Sequence, residues 1–169
     1  MMEVPTFFLK GKQAFRKDMG SMRLLGNAAQ LVRSLSDEYA LFHVVDLDAL
    51  KGNKSNFDLY DHLTYFTHVQ VECKPDSKLI SALLKMEARV VVELPSALDF
   101  EKFGKKKTLV IGKVKPGFSE SFPPIREILL DGKDDELAKR VLNEDKRLFV
   151  KKEHYPKGFR RAFGVLFEL

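Results

Sequence analysis

The sequence predicts an α/β fold, a short (βα)8-type barrel with several helices missing, and three observations carry that reading. Short β-branched or aromatic runs alternate with helical patterns through most of the chain, the signature of βα units feeding a parallel sheet. Eight such runs can be counted, the last ending at Leu169. The 169 residues leave about 21 per unit, far fewer than the roughly 250 residues of a complete barrel allow, so several connections must be abbreviated. An open parallel α/β sheet is the alternative.

The first strand is read as PTFFLKGKQAF, residues 5–15. A helix follows from the cap Asn27, where Ala28, Leu31, Val32 and Leu35 fall at i, i+3, i+4 and i+7 and make one apolar stripe. The second strand, YALFHVVDLDAL (39–50), is a continuous apolar run of the kind buried on both faces. Ser55 or Asn56 can cap the next helix, which carries Leu59, Leu63 and Phe66 on one side.

HVQVEC (68–73) is the third strand, and SKLISALLKM (77–86) a helix with Leu79, Ile80, Leu83 and Leu84 inward. ARVVVEL (88–94) is the fourth strand. Ser96 followed by Asp99 starts a short helix that ends near Gly104. TLVIGKV (108–114) is the fifth strand.

The pattern then thins. KPGFSESFPP (115–124) holds three of the seven prolines and reads as a loop. REILLDG (126–132) is the sixth strand, and DDELAKRVLNED (134–145) a helix with Leu137, Val141 and Leu142 inward. RLFVKKE (147–153) is the seventh strand, HYPKGFRRA (154–162) supports no more than a helical turn, and FGVLFEL (163–169) is the eighth strand. The fifth, seventh and eighth helices are thus the missing ones. Strands such as TLVIGKV and FGVLFEL would then show water an apolar outer face, so a homo-oligomer covering that side is expected.

Composition narrows the class. Hydrophobic residues make up 44% and charged residues 31%, as in a globular domain, and one domain spanning 1–169 is expected. No apolar run approaches the roughly 18 residues of a membrane helix, and MMEVPTFFLKGK lacks the features of a signal peptide. The single cysteine, Cys73, rules out an intramolecular disulfide, fits a reducing compartment, and reads as a small buried apolar residue. A cytoplasmic location is expected. The net charge of +5 is spread along the chain, and its densest run, Lys105–Lys107, reads as a solvated turn, so nucleic acid is not the expected partner.

The informative feature is a repeated ending. VQVE, VVVE, VKKE and LFE each close a strand with a glutamate: Glu72, Glu93, Glu153 and Glu168. Parallel strands share one carboxyl rim, where ligands of barrels and open sheets bind. Asp46, Asp48, Glu72, Glu93, Asp131, Glu153 and Glu168 would gather there with Lys113, Lys151 and Lys152, although alternation lets only about half point inward.

Three readings stay open. In the first, the acids and lysines neutralise each other around a mouth that no longer binds substrate. Clustered carboxylates suit Mg²⁺, Mn²⁺ or Ca²⁺, so a divalent metal is possible although no cofactor is called for. Or Lys113 or Lys151, activated by burial, serves as a Schiff-base or proton-transfer lysine. In the late loop, Lys157, Arg160 and Arg161 are the anion-binding candidates. His43 reads as a core histidine, and no Walker loop, GxGxxG, nucleophile elbow, HExxH or CxxC pair is present.

The run LFHVVDLDALKGNKSN (41–56) resembles the second strand and loop of the HisA/HisF family of histidine-biosynthesis (βα)8 barrels, TIM-type enzymes that include phosphoribosylformimino-aminoimidazole carboxamide ribotide isomerase. VPTFFLKGKQAF, HVQVEC, EARVVVELPSALDF, ILLDGKDDEL and FGVLFEL resemble further parts of that family in the same order. The resemblance implies an aspartate at the ends of the first and fifth strands as general acid and base. Here those positions fall on Phe8 and at or near Lys113. It also implies glycines cradling two phosphates at strand ends where this chain has glutamates. A divergent homologue without isomerase activity, with a non-catalytic or interaction role, is therefore expected. The alternative is an enzyme of another class, or a metal- or small-molecule-binding protein, using the acidic rim and a lysine.

Overall fold

A computed structural model describes residues 1–155 and 161–169. The barrel is made of β1 (Met2–Lys10), β4 (Leu41–Asp46), β5 (His68–Glu72), β6 (Arg89–Glu93), β7 (Val110–Val114), β8 (Glu127–Leu130), β9 (Arg147–Lys151) and β10 (Gly164–Glu168). Neighbours in this list run parallel, and β10 pairs with β1 from Met2↔Gly164 to Thr6↔Glu168. That last pairing closes the sheet and excludes the open alternative.

Alternation divides each strand between two cores. Val4, Leu41, Val91, Ile111, Leu129, Phe149 and Leu166 point inward and plug the barrel, each no more than 4% exposed. Phe7, Phe42, Val44, Val71, Val90 and Ile128 point outward into a second core under the helices. Phe149 is large enough to fill the space beside β10, and residue 164 must be glycine there: a Cβ would stand 2.6 Å from the Phe149 ring.

Among the described residues four α-helices lie outside: α1 (Ala28–Leu35), α2 (Phe57–Leu63), α3 (Ser77–Lys85) and α4 (Asp135–Asn143). Asn27, Asp76 and Asp134 cap α1, α3 and α4 by accepting from first-turn amides. Asn56 stands at the start of α2 but makes no cap bond, because its carboxamide is used elsewhere. The connection after β6 is 3₁₀ rather than α over Phe100–Leu109, broken at Gly104, whose φ of 56° interrupts the winding. Among the described residues no helix lies between β7 and β8, and part of the connection from β9 to β10 lies outside the described residues.

Two expectations need correction. Residues 5–15 are not one strand. The chain reverses at Gly11 and Lys12, both at positive φ, into β2 (Gln13–Asp18), which forms a hairpin with β3 (Ser21–Asn27). β2 pairs antiparallel with β1 at Phe8–Lys10, beyond the point where β10 leaves it, so the hairpin stands over the carboxyl mouth. The second correction concerns the outer face of β7, which is not bare. Gly112 lets Leu94 and Ile125 lie directly on the strand (a Cβ would meet them at 2.5 and 2.8 Å), and Val110 and Val114 are fully buried. Phe118 and Phe122 stack on each other nearby, and the Arg140 guanidinium of α4 lies 4.4 Å from the Phe122 ring centre. The loop substitutes for the helix, and the reason given for an oligomer falls away. Val165 of β10 is buried as well.

The amino pole is sealed by charge. Glu127, 2% exposed, accepts from Arg89 and Arg147, and burial beside Arg147 pushes the Arg89 pKa down to about 10. No described helix is long and apolar enough to cross a membrane.

Candidate functional site: the carboxyl mouth of the barrel

The inward residue nearest the carboxyl end of each strand lines a cavity of about 780 Å³. Its wall has two halves. From β10 through β1 to β4 it is mainly apolar, built of Leu166, Phe167, Phe8, Val45 and, from the following turn, Leu50. From β5 to β9 it is charged, carrying Glu72, Glu93, Lys113, Asp131 and Lys151 in that order.

The charged half is one connected chain. His43 on β4 is held through both ring nitrogens, Nδ1 to Gln70 Nε2 and Nε2 to Glu72 Oε1, each at 2.9 Å. The second Glu72 oxygen accepts from Lys113 Nζ at 2.9 Å, Lys113 lies 3.3 Å from Asp131, and Asp131 pairs with Lys151 at 2.6 Å. Signs alternate along this bonded chain, from Glu72 through Lys113 and Asp131 to Lys151, so bonded neighbours attract.

These contacts fix the ionisation states. Burial opposes the Glu72 charge, but His43 and Lys113 outweigh it and take the carboxyl down to about 2. Burial also opposes the Lys113 charge, yet Glu72 and then Asp131 raise its pKa above the ordinary lysine value. Asp131 is shifted down because its bonds to Lys151 and Lys113 outweigh its partial burial. Near neutrality Lys113 is a cation and a hydrogen-bond donor, and has no lone pair with which to attack a carbonyl.

The remaining expected rim residues, Glu93, Lys152, Glu153 and Glu168, line the same cavity but stand outside this bonded chain. Glu93 faces the mouth but pairs with Lys115 at 2.6 Å, both being more than half exposed. Glu153 lies beyond β9, 3.2 Å from His154. Lys152 reaches Glu3 at 3.5 Å. Glu168 lies at the mouth with no hydrogen bond or ion pair among the described residues.

Asp46 and Asp48 do not belong to the cavity. Asp46 has outward parity and is fully buried: its Oδ1 accepts from the amides of Asp48 and Ala49 and from Asn56 Nδ2, and its Oδ2 from the Tyr60 hydroxyl at 2.7 Å. Burial still raises its pKa. Asp48 accepts from Gly11 N and Asn56 Nδ2, and so ties the loop after β4 to the turn after β1. Both aspartates are structural. The VVDLD run that carries the family resemblance thus serves loop geometry.

Lys157 and Arg160 lie outside the described residues, and Arg161 is exposed. Lys106 is bonded to Glu87 and Lys107 to Glu101, so two of the three consecutive lysines are engaged. Cys73 is 2% exposed, and burial followed by the charges of Asp46, Asp76 and Glu72 pushes its thiol up to about 12, so it is an inert core residue. Among the described residues no three His, Cys, Asp or Glu side chains come together as a metal site.

Sequence reading missed Thr6, Lys17 and the roles of His43 and Gln70. Parity was the available signal: Gln70 is two residues before Glu72, and His43 two before Val45, so each shares its neighbour's inward face. Lys17 was invisible because the hairpin that brings it over the Phe8 ring, 4.9 Å from its centre, had not been recognised. Compared with known proteins, the chain matches no protein-family model and no curated protein is significantly similar to it.

Proposed function

We propose that this chain is a divergent relative of the histidine-biosynthesis isomerase barrels that binds a small molecule at its carboxyl mouth without carrying out isomerase chemistry. The observation that carries the reading is the ionisation pattern of the charged wall. General acid–base catalysis works best with a group whose pKa lies near the working pH. Glu72 and Asp131 are instead held ionised, Lys113 is held protonated, and both nitrogens of His43 are engaged. At the two positions where the resemblance implies catalytic aspartates, Phe8 and Lys113 face the cavity.

The size of the cavity favours binding over a purely structural role, since small-molecule sites commonly measure about 300–1,000 Å³ and combine apolar walls with a few polar groups. The metal reading loses support because the rim acids are bonded to lysines and do not converge. The Schiff-base reading loses it at Lys113, which is held as an ammonium. The test is incubation of the purified chain with the aminoaldose substrate of the isomerase, followed by chromatography of the products. No turnover above the uncatalysed rate is expected, and measurable ketose formation would overturn the reading.

A further inference from the structure

We infer that the ligand of the mouth cavity is a zwitterion with an apolar body, of the class of a hydrophobic α-amino acid. The inference rests on the binding role proposed above and names its ligand.

The charge balance comes first. Each interior charge between Glu72 and Lys151 already has an opposite partner, so that wall offers no surplus charge to an anion or a cation. Two groups at the mouth have no ion-pair partner among the described residues, and they are of opposite sign: Glu168 on β10 and Lys17 on the hairpin. A doubly charged phosphosugar would find one ammonium and one repelling carboxylate. A simple amine or carboxylate would satisfy only one of the two.

The spacing comes from the strand register. Glu168 is the partner of Thr6 across the β10–β1 ladder, and Lys17 lies over the ring of Phe8. Thr6 and Phe8 are successive inward residues of β1, about 7 Å apart along the strand. The free carboxylate and the free ammonium therefore bracket a short stretch of wall. A zwitterion whose two ends are separated by a few ångströms can reach both. Thr6, beside Glu168 on the β10–β1 ladder, contributes to the same wall, and its hydroxyl is buried beneath that surface. The apolar body of the ligand would rest on Val45, Leu50 and Leu166.

Isothermal titration of the full chain tests this with L-phenylalanine, L-leucine, phenylpropionate, phenethylamine and ribose 5-phosphate. At least one amino acid should bind saturably with one site, and phenylpropionate and phenethylamine should each bind at least tenfold more weakly. Glu168→Gln should weaken phenylalanine but leave phenylpropionate unchanged. Lys17→Met should weaken phenylalanine but leave phenethylamine unchanged. Residues 17 and 168 lie at the mouth, so unliganded melting temperatures of those variants report whether the fold is intact. The inference is overturned if neither amino acid saturates, if the single-ended analogues bind within threefold of phenylalanine, or if ribose 5-phosphate binds more tightly than both amino acids. That last result would leave the non-catalytic binding role standing, whereas aminoaldose turnover would remove that role itself.

Discussion

Lys113 and Glu72 sit at the centre of the charged wall, and a double-mutant cycle on them measures whether the wall is a coupled unit. At 2.9 Å and an effective dielectric near 20 the pair attracts by about 6 kcal/mol, most of it offset by the cost of removing both ions from water. Breaking a buried pair from one side costs more than its net value because a charge is stranded, typically about 3–5 kcal/mol. Glu72→Gln should fall at or just below the lower end of that range, about 2–3 kcal/mol, because Lys113 keeps Asp131 at 3.3 Å. Lys113→Met should cost about 3 kcal/mol, with Glu72 left to His43 alone. The double variant strands neither charge and should cost less than the sum by about 2 kcal/mol. Urea unfolding followed by circular dichroism at neutral pH supplies all four corners. A coupling below about 0.5 kcal/mol would mean that the pair is screened and independent, and would refute the account of the wall.

The same pair sets an acid limit. Glu72 titrates at about 2 in the folded chain against an ordinary 4.5, so its contribution is fully present above the unfolded pKa and disappears as pH falls from about 4.5 towards 2. A difference of about 2.5 units corresponds to roughly 3 kcal/mol. Glu72→Gln should be less stable than the parent at pH 7 and approach it in stability at pH 3.

Other outcomes follow from single contacts. Gly164→Ala should destabilise by about 1–3 kcal/mol, because its methyl would collide with the Phe149 ring, and adding Phe149→Leu should recover part of the loss in the same unfolding assay. Asp46→Ala should cost about 3 kcal/mol by stripping the acceptor from two loop amides, Asn56 and Tyr60. Asp46→Asn should cost about 1 kcal/mol, since its carbonyl still serves the amides, as thermal melts of both variants would show. Cys73 should react with a thiol reagent in native buffer only at the rate of unfolding, and immediately in denaturant; fast native labelling would contradict its burial.

The barrel strands were legible because a strand buried on both faces has no polar alternation to blur it. ARVVVEL and TLVIGKV both fall where β6 and β7 are. The helices were legible where an apolar stripe met a capping Asn or Asp, as at Asn27 and at Asp134. The hairpin was not, because Arg16–Arg23 carries no alternation: β3 packs little, and Met22 and Leu24 are apolar yet exposed. Its turn residues, Gly11 and Gly20, were the signal that went unused. The rim was half legible. Strand-end acids were found from their repetition, but the direction of each depends on parity, and Asp46, one residue out of phase with Val45, points away from the cavity into the loop.

The glutamates at the strand ends do not argue against a bisphosphate ligand by repulsion alone, as four bare carboxylates would. Glu72 and Asp131 are neutralised by Lys113 and Lys151, and Glu93 by Lys115. The stronger obstacle lies with the lysines. A phosphate approaching Lys113 would have to displace two carboxylates that already hold it, one of them buried with only its hydrogen bond to His43 left. Each such exchange gives up one charge-assisted bond to form another and leaves an acid uncompensated in a partly dry cavity. A wall saturated in this way rejects strong anions and strong cations alike, whatever the sum of its charges. The selectivity of the cavity then falls to the groups the wall has not already paired.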